Sequence, residues 1–276
     1  MKLRALPLLL AVLILVSNVL VIAENKTTTK PLVFSEDWLK GVAIIVYGNQ
    51  YGTCFWINPT HVATAAHVVN FNPNAQAIII KGNIRATGRV VALDRQTDIA
   101  VLYVENSDQF DKHIFPIARS IPRLTSTIYV IGYPSELLQI TGSLEELSEH
   151  PRVLECRLSW IGNGLFEVGG ITDAGNSGGP VVDYSGNVLG IVSFALRGPA
   201  GFLYFASSAG NLKELCRQHN IAYIEGTSGI LPENFVQNPA LQGAIAGATA
   251  SIVVDLVMLA LGIGIGVAIF AKRRRH

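Results

Sequence analysis

The chain has 276 residues, 21 Lys and Arg against 20 Asp and Glu, a formal net charge of +1 and 50% hydrophobic residues. With two long apolar runs at its ends set aside, roughly 200 residues remain, enough for one domain with its own core; the basic excess sits at the termini, so no basic face points to nucleic acid. The three cysteines, Cys54, Cys156 and Cys216, lack metal-ligand spacing, so no metal or cofactor is expected and at most one disulfide can form, its partners left open.

Residues 1–23 open with Lys2 and Arg4 and continue as an apolar run to Ala23, the pattern of a secretory signal peptide or, uncleaved, of an N-terminal anchor. Residues 24–35 form a polar, Thr-rich linker with the glycan-acceptor pattern Asn25-Lys26-Thr27. Over 36–225, short runs rich in Val, Ile, Tyr and Phe recur between Gly, Pro, Asn and Asp. They fall at 41–47, 51–57, 61–66, 76–81, 84–93 and 99–104. After a polar connection at 105–126 they resume at 127–133, 152–161, 180–184, 187–196 and 201–207. Many short strands with turn signals between them predict an all-β barrel or sandwich. One clear helix follows in SSAGNLKELCRQHN, with Ser207 or Ser208 placed to cap it and Leu212, Leu215 and Cys216 on one face. SLEELSEH at 143–150 reads as a short surface helix in an inserted loop.

Residues 226–238 are a Gly-, Pro- and Asn-containing linker, and 239–271 are apolar except for Asp255. That run is long enough for a transmembrane helix. The basic tail at 272–276 then predicts a cytoplasmic C-terminus, with the 36–225 domain outside. Asp255 lies 16 residues before Ala271, roughly 24 Å at 1.5 Å per residue, near the outer headgroups.

Within the domain, three stretches carry chemistry. Acyl transfer by serine needs a base in reach of the hydroxyl, a carboxylate to orient that base, and amide donors for the developing oxyanion. His67 ends Ala63-Thr64-Ala65-Ala66-His67, where small residues let backbone and ring pack tightly at a strand end. Asp98 precedes the apolar strand Ile99-Ala100-Val101-Leu102, with Asp94 as a competing carboxylate. Ser177 sits in Gly175-Asn176-Ser177-Gly178-Gly179-Pro180, where Gly175 lets two amides converge. Each stretch alone has an ordinary structural reading: a packed histidine, a turn acid, a glycine-rich loop.

Thr64-Ala65-Ala66-His67, Thr97-Asp98-Ile99-Ala100-Val101-Leu102 and Gly175-Asn176-Ser177-Gly178-Gly179-Pro180, in this order, resemble the trypsin-like serine peptidases, and most closely their HtrA/DegP branch. The likeness runs from about residue 41 to 220. It includes Leu189-Gly190-Ile191-Val192-Ser193, similar to the strand that binds substrate backbone, and Gly201-Phe202-Leu203-Tyr204-Phe205-Ala206 with the helix after it, similar to the branch's closing elements. The resemblance implies two perpendicular six-stranded β-barrels and a C-terminal helix, with the site between the barrels. It makes His67 the general base, Asp98 its orienting acid, Ser177 the nucleophile, and the amides of Gly175 and Ser177 the oxyanion hole. It puts Ile171 at the base of the specificity pocket and Ser193, Phe194 and Ala195 along its wall. None of these is charged, so an apolar residue is expected before the scissile bond.

The departures are as informative. Asn176 stands where digestive relatives carry the Asp that receives a freed N-terminus, and no Ile-Val-Gly-Gly start is present, so activation by N-terminal cleavage is not expected and the oxyanion loop must be ordered by something else. Val68 stands where relatives carry the disulfide partner of Cys54. About 50 residues follow the helix, too few for a PDZ domain of 80–100 residues beside a membrane span. The reading is therefore an outward-facing, single-pass membrane serine endopeptidase acting on polypeptides, held to lipid by its C-terminal helix, with no evidence for or against an oligomer. The alternatives are a catalytically silent peptidase-fold module that binds polypeptide and a serine esterase, the latter disfavoured because the chain lacks the strand–helix alternation of α/β-hydrolases.

Overall fold

The computed structural model describes residues 34–170, 174–199 and 201–227. The N-terminal apolar run, the linker before residue 34 and the 239–271 run lie outside the described residues. Among those described, no helix is long and apolar enough to cross a membrane.

Twelve strands form two closed barrels. The first contains β1 (Val42–Tyr47), β2 (Gln50–Asn58), β3 (His61–Ala65), β4 (Gln76–Lys81), β5 (Ile84–Asp94) and β6 (Ile99–Val104), paired in the order β1-β2-β3-β6-β5-β4. The second contains β7 (Thr127–Gly132), β8 (Arg152–Gly162), β9 (Leu165–Gly169), β10 (Pro180–Val182), β11 (Val188–Gly198) and β12 (Gly201–Ser208), ordered β10-β11-β12-β9-β8-β7. The all-β, two-barrel architecture is therefore the one anticipated. Every pairing is antiparallel, and each barrel closes on itself through β1 with β4 or β10 with β7, which leaves no free sheet edge.

Turn chemistry sets the registers. Tyr47 pairs with Gln50 across Gly48-Asn49, and Lys81 pairs with Ile84 across Gly82-Asn83, with Gly48 at φ 60 and Gly82 at φ 56. Such two-residue hairpins need positive φ, which glycine adopts without strain. Asn163-Gly164 does the same between β8 and β9, with φ 51 and 72. Strand β9 was not anticipated: its five residues, Leu-Phe-Glu-Val-Gly, sit between glycines and are too short to show alternation. Strand β10 stops at Val182 rather than 184 because Asp183 opens a turn, its carboxylate accepting from the N–H groups of Ser185 and Asn187.

Three α-helices complete the described chain: α1 (Ser135–Thr141), α2 (Leu144–Glu149) and α3 (Ala209–Gln218). α2 is the short helix expected at 143–150, capped by Ser143, whose hydroxyl accepts from Glu146 N–H at 3.2 Å. α1, just before it, was not foreseen. α3 buries Ala209, Leu212, Leu215 and Cys216 on one face. Its capping differs from expectation: Ser208 occupies the N-cap position but makes no side-chain cap bond, while Ser207 Oγ accepts from the Asn211 amide at 3.1 Å. All three cysteines are buried and free, so no disulfide joins the described residues.

Trp56, Tyr133, Phe55, Phe115 and Phe166 are the largest fully buried side chains. Burying a Val, Ile or Phe in such a core contributes about 1.5–3 kcal/mol relative to leaving it exposed. Tyr133, just past β7 of the second barrel, reaches into the first: its hydroxyl oxygen is 3.0 Å from the carbonyls of both Val42 and Ser148. Lys81 Nζ, at the end of β4, donates to that hydroxyl at 3.2 Å and to the carbonyls of Leu39 (3.0 Å) and Ser148 (2.9 Å). The two barrels and the α1–α2 insertion thus meet at one buried polar knot.

Candidate active site

Strand pairing brings His67 and Asp98 together. β3 and β6 are antiparallel with Ala65 opposite Ile99, so the residue entering β6 faces the chain leaving β3. After Ala65 the backbone makes one 3-10 turn, Ala66–Val69. Asp98 takes a left-handed conformation, φ 55, which aims its carbonyl at Ala66 N–H (3.1 Å) and its carboxylate at His67. Oδ1 accepts from His67 N–H at 2.9 Å, and Oδ2 lies 2.8 Å from His67 Nδ1. A third donor comes from the other barrel: Ser193 Oγ donates to Oδ2 at 2.5 Å. Burial by itself would raise the Asp98 carboxyl, but the hydrogen bond and charge of His67, with the Ser193 hydroxyl and the His67 N–H, hold it below the ordinary carboxylate value. The carboxylate is therefore ionised and fixes the proton on Nδ1, leaving Nε2 as the basic nitrogen. The competing Asp94 is a turn residue, accepting from Gln96 N–H (2.8 Å) and the Thr97 hydroxyl (2.7 Å).

The Ser177 loop, between β9 and β10, is shaped by its glycines. Gly175 has φ +93, and a Cβ there would overlap the Tyr133 carbonyl oxygen. Gly178 has φ +84, and a Cβ would overlap the Thr53 carbonyl and Thr64 Oγ1. Neither position admits a side chain, so the Gly-Asn-Ser-Gly spacing follows from close backbone approach as well as from turning. The loop is laced to its surroundings. Thr53 N–H donates to the Ser177 carbonyl (2.8 Å), Ser135 N–H to the Ala174 carbonyl (2.7 Å) and Gly178 N–H to the Val192 carbonyl (2.8 Å). Thr53 Oγ1 donates to the Gly175 carbonyl at 2.7 Å. The N–H groups of Gly175 and Ser177, by contrast, have no acceptor among the described residues. Asn176 is buried, and its Nδ2 has no partner there either.

Of the residues expected along the specificity pocket, Ile171 lies outside the described residues. Ser193 is buried and spends its hydroxyl on Asp98. Phe194 is 39% exposed and stacks on Phe205, ring centroids 5.2 Å apart at 19°, while Ala195 is exposed. The sequence reading did not find Thr53, Tyr133 or Ser135 as loop partners. Tyr51-Gly52-Thr53-Cys54 carries no motif, and the pairing is visible only once β2 and the Ser177 loop are side by side. No hydrogen bond of the described residues joins His67 Nε2 to Ser177 Oγ.

Two closed six-stranded barrels, with an aspartate–histidine pair from one and a glycine-bounded serine loop from the other, define the trypsin-like class of fold. Residues 52–191 match the family model of the trypsin-like peptidase domain, and the chain belongs to that family. Protein y4bJ of Sinorhizobium fredii, itself uncharacterized, is 31% identical over 150 residues, 52% of this chain and 22% of that protein. A relative from Bartonella henselae with a DegP-like name is 26% identical over 176 residues, 61% of this chain and 33% of that protein. The chain thus spans about a fifth to a third of these relatives. Among solved structures, the active form of the Rv3671c protease from Mycobacterium tuberculosis superposes with a TM-score of 0.56 at 20% identity, over 75% of this chain and 92% of that one, a likeness of fold.

Proposed function

We propose that this protein is a serine endopeptidase in which Ser177 is the nucleophile, His67 the general base, Asp98 its orienting acid, and the N–H groups of Gly175 and Ser177 the oxyanion donors. The observation that carries this reading is the His67–Asp98 pair, which holds its proton on Nδ1 and receives a hydroxyl from the barrel that also bears Ser177. In this mechanism Ser177 Oγ attacks the scissile carbonyl while Nε2 takes its proton. The imidazolium is stabilised by the ionised Asp98, and the tetrahedral oxyanion accepts from the two otherwise unbonded amides. His67 then protonates the departing amine, and water releases the acyl group by the same route in reverse. The uncharged character of Ile171, Phe194 and Ala195 favours an apolar side chain before the cleaved bond, since a cation there would be desolvated without a partner. By its apolar 239–271 run and basic tail, we assign the protein to a membrane, with the peptidase domain outside and exposed polypeptides as substrates.

A second reading, a polypeptide-binding module without turnover, draws on the missing Nε2–Oγ hydrogen bond, although such bonds often tighten only when substrate is bound. One experiment separates the two. A fluorophosphonate probe is expected to label the purified protein on Ser177, and Ser177→Ala to abolish labelling and casein cleavage together. Labelling that persists in Ser177→Ala, or a wild-type protein without turnover, removes the endopeptidase reading.

A further inference from the structure

We propose that Thr53 is a positioning residue that locks the oxyanion loop, doing with one buried hydroxyl what a charged residue before the nucleophile would otherwise do. The inference rests on the endopeptidase reading for its catalytic consequence and on geometry for the lock itself. The loop has no ionic anchor at its centre: Asn176 is uncharged, buried, and unpartnered at Nδ2.

Thr53 supplies the anchor with two bonds to the loop and a third to Tyr133. It is fully buried. Its N–H donates to the Ser177 carbonyl at 2.8 Å, its Oγ1 to the Gly175 carbonyl at 2.7 Å, and Oγ1 accepts from Tyr133 N–H at 3.1 Å. The direction of these bonds is not ambiguous. A hydroxyl has one proton, and an amide N–H can only donate, so Tyr133 takes a lone pair and the proton goes to Gly175.

The consequence lies in which peptide units are held. The Ser177 N–H belongs to the unit Asn176–Ser177. Its own carbonyl, that of Asn176, accepts from Gly179 N–H at 2.9 Å, and the carbonyls of the units on either side, Gly175 and Ser177, are both fixed on Thr53. Rotating the unit breaks the Gly179 bond, and moving the units that flank it strips two further carbonyls of their Thr53 partners, at roughly 1–3 kcal/mol each. The Gly175 N–H belongs to the unit Ala174–Gly175, whose carbonyl is held by Ser135 N–H, two residues along the chain from Tyr133. Both candidate oxyanion donors are thus turned away from protein acceptors by bonds made on their opposite sides. Thr53 also crosses the seam between barrels. It lies on β2, which pairs with β3, the strand that delivers His67. A shift of the serine loop relative to the histidine must pass through this side chain.

The test compares Thr53→Val, which keeps shape and removes the hydroxyl, with Thr53→Ser, which keeps the hydroxyl and loses the methyl, in the 276-residue protein. The Val variant is expected to lose about 10–100-fold in kcat with KM changed less than about threefold, because the affected donors act on the transition state. The Ser variant is expected to recover most of that loss. Amide hydrogen exchange at Tyr133 and across residues 174–178 is expected to quicken in Val and not in Ser, whatever the catalytic outcome. A Val variant with wild-type kcat, unchanged exchange, or a Ser variant as impaired as Val would overturn the proposal. If Val does not fold, Thr53→Ala against Thr53→Ser carries the same comparison. Failure of the endopeptidase reading looks different: wild type itself is then unlabelled at Ser177, while the exchange experiment still decides whether Thr53 holds the loop.

Discussion

The two barrels solve the same closure problem with different margins. In the first, β6, Ile99–Val104, is buried along nearly its whole length. The aspartate and histidine are held by the pairing of β3 with β6 and by their own backbones. In the second, the β11–β12 hairpin runs past the packed body. Phe194, Leu196, Phe202 and Leu203 are exposed on it, with Trp160 and Ile161 exposed on β8. The serine loop of that barrel is held as much by the first barrel as by its own. The His67–Asp98 pair sits on the more deeply buried frame, and the exposed apolar wall belongs to the other barrel; on the endopeptidase reading that wall is where a polypeptide would lie. The two meet at Ser193, which lies on β11 beside Phe194 and donates its hydroxyl to Asp98.

The largest expected effect comes from breaking the first barrel's contribution. Asp98 accepts from three donors, His67 N–H, His67 Nδ1–H and the Ser193 hydroxyl. Asp98→Asn puts an amide donor against one of them and releases the imidazole into the wrong tautomer, so kcat/KM is expected to fall by about 10⁴-fold with the fold intact. The same substitution bears on stability at low pH. The Asp98 carboxyl is depressed in the folded state, so its stabilising contribution is present above the ordinary value of 3.8 and is lost as pH falls through the lower folded value. The acid limb of a urea-midpoint profile is therefore expected to be shallower in Asp98→Asn than in wild type, and identical limbs would detach the carboxylate from stability.

The contrast in packing gives the next pair. Phe55 is fully buried in the first barrel with its ring edge-on to Phe115, centroids 6.0 Å apart. Phe55→Ala is expected to destabilise by about 3–5 kcal/mol. Phe202, 57% exposed on the second barrel's hairpin, is expected to change stability by less than about 0.5 kcal/mol when replaced by Ser. Chemical denaturation of both variants measures the asymmetry directly, and comparable losses would mean that the hairpin is packed rather than open.

What could be read in advance follows the same division. Strands such as Val42–Tyr47 and Ile99–Val104 announce themselves because β-branched runs between turn residues leave few other conformations. His67, Asp98 and Ser177 were singled out because each sits in a patterned stretch, and the first two are in contact. Their partners were not singled out. Ser193 was assigned to a pocket wall because its strand was recognised, yet its rotamer sends the hydroxyl across the seam to Asp98. Thr53 bonds Gly175 and Ser177, each more than a hundred positions away in sequence, and nothing local marks it. α1 was missed for a related reason: Ser135–Thr141 buries no side chain, so it has no fully apolar face to declare a helical period. Local propensity and motif describe elements and chemistry; contacts between distant segments require the closed barrels.

A subtler effect, one of slope rather than of absolute stability, concerns the knot where the barrels meet. Burial pushes Lys81 down to about 8, partly offset by the charge of Glu149, while its Nζ donates to the carbonyls of Leu39 and Ser148 and to the Tyr133 hydroxyl, itself raised well above its usual range by burial. Between pH 8 and the ordinary lysine value of 10.5 the unfolded chain holds a proton that the folded chain releases, so this group makes stability rise with pH, by about 1 kcal/mol from pH 8 to 9. The buried thiols act oppositely. Cys54, Cys156 and Cys216 are all raised above 9.0, Cys216 to about 12, chiefly by burial. The unfolded chain loses thiol protons near pH 9 that the folded chain keeps, and stability falls. The lysine and the thiols therefore oppose each other over this interval. Lys81→Met removes the rising component alone, so from pH 8 to 9 its stability is expected to fall by about 1 kcal/mol relative to wild type. The slope is the readout, since the loss of three hydrogen bonds lowers absolute stability at every pH. Parallel profiles for Lys81→Met and wild type would mean that the ammonium stays charged at pH 9, held by its three acceptors against the cost of burial.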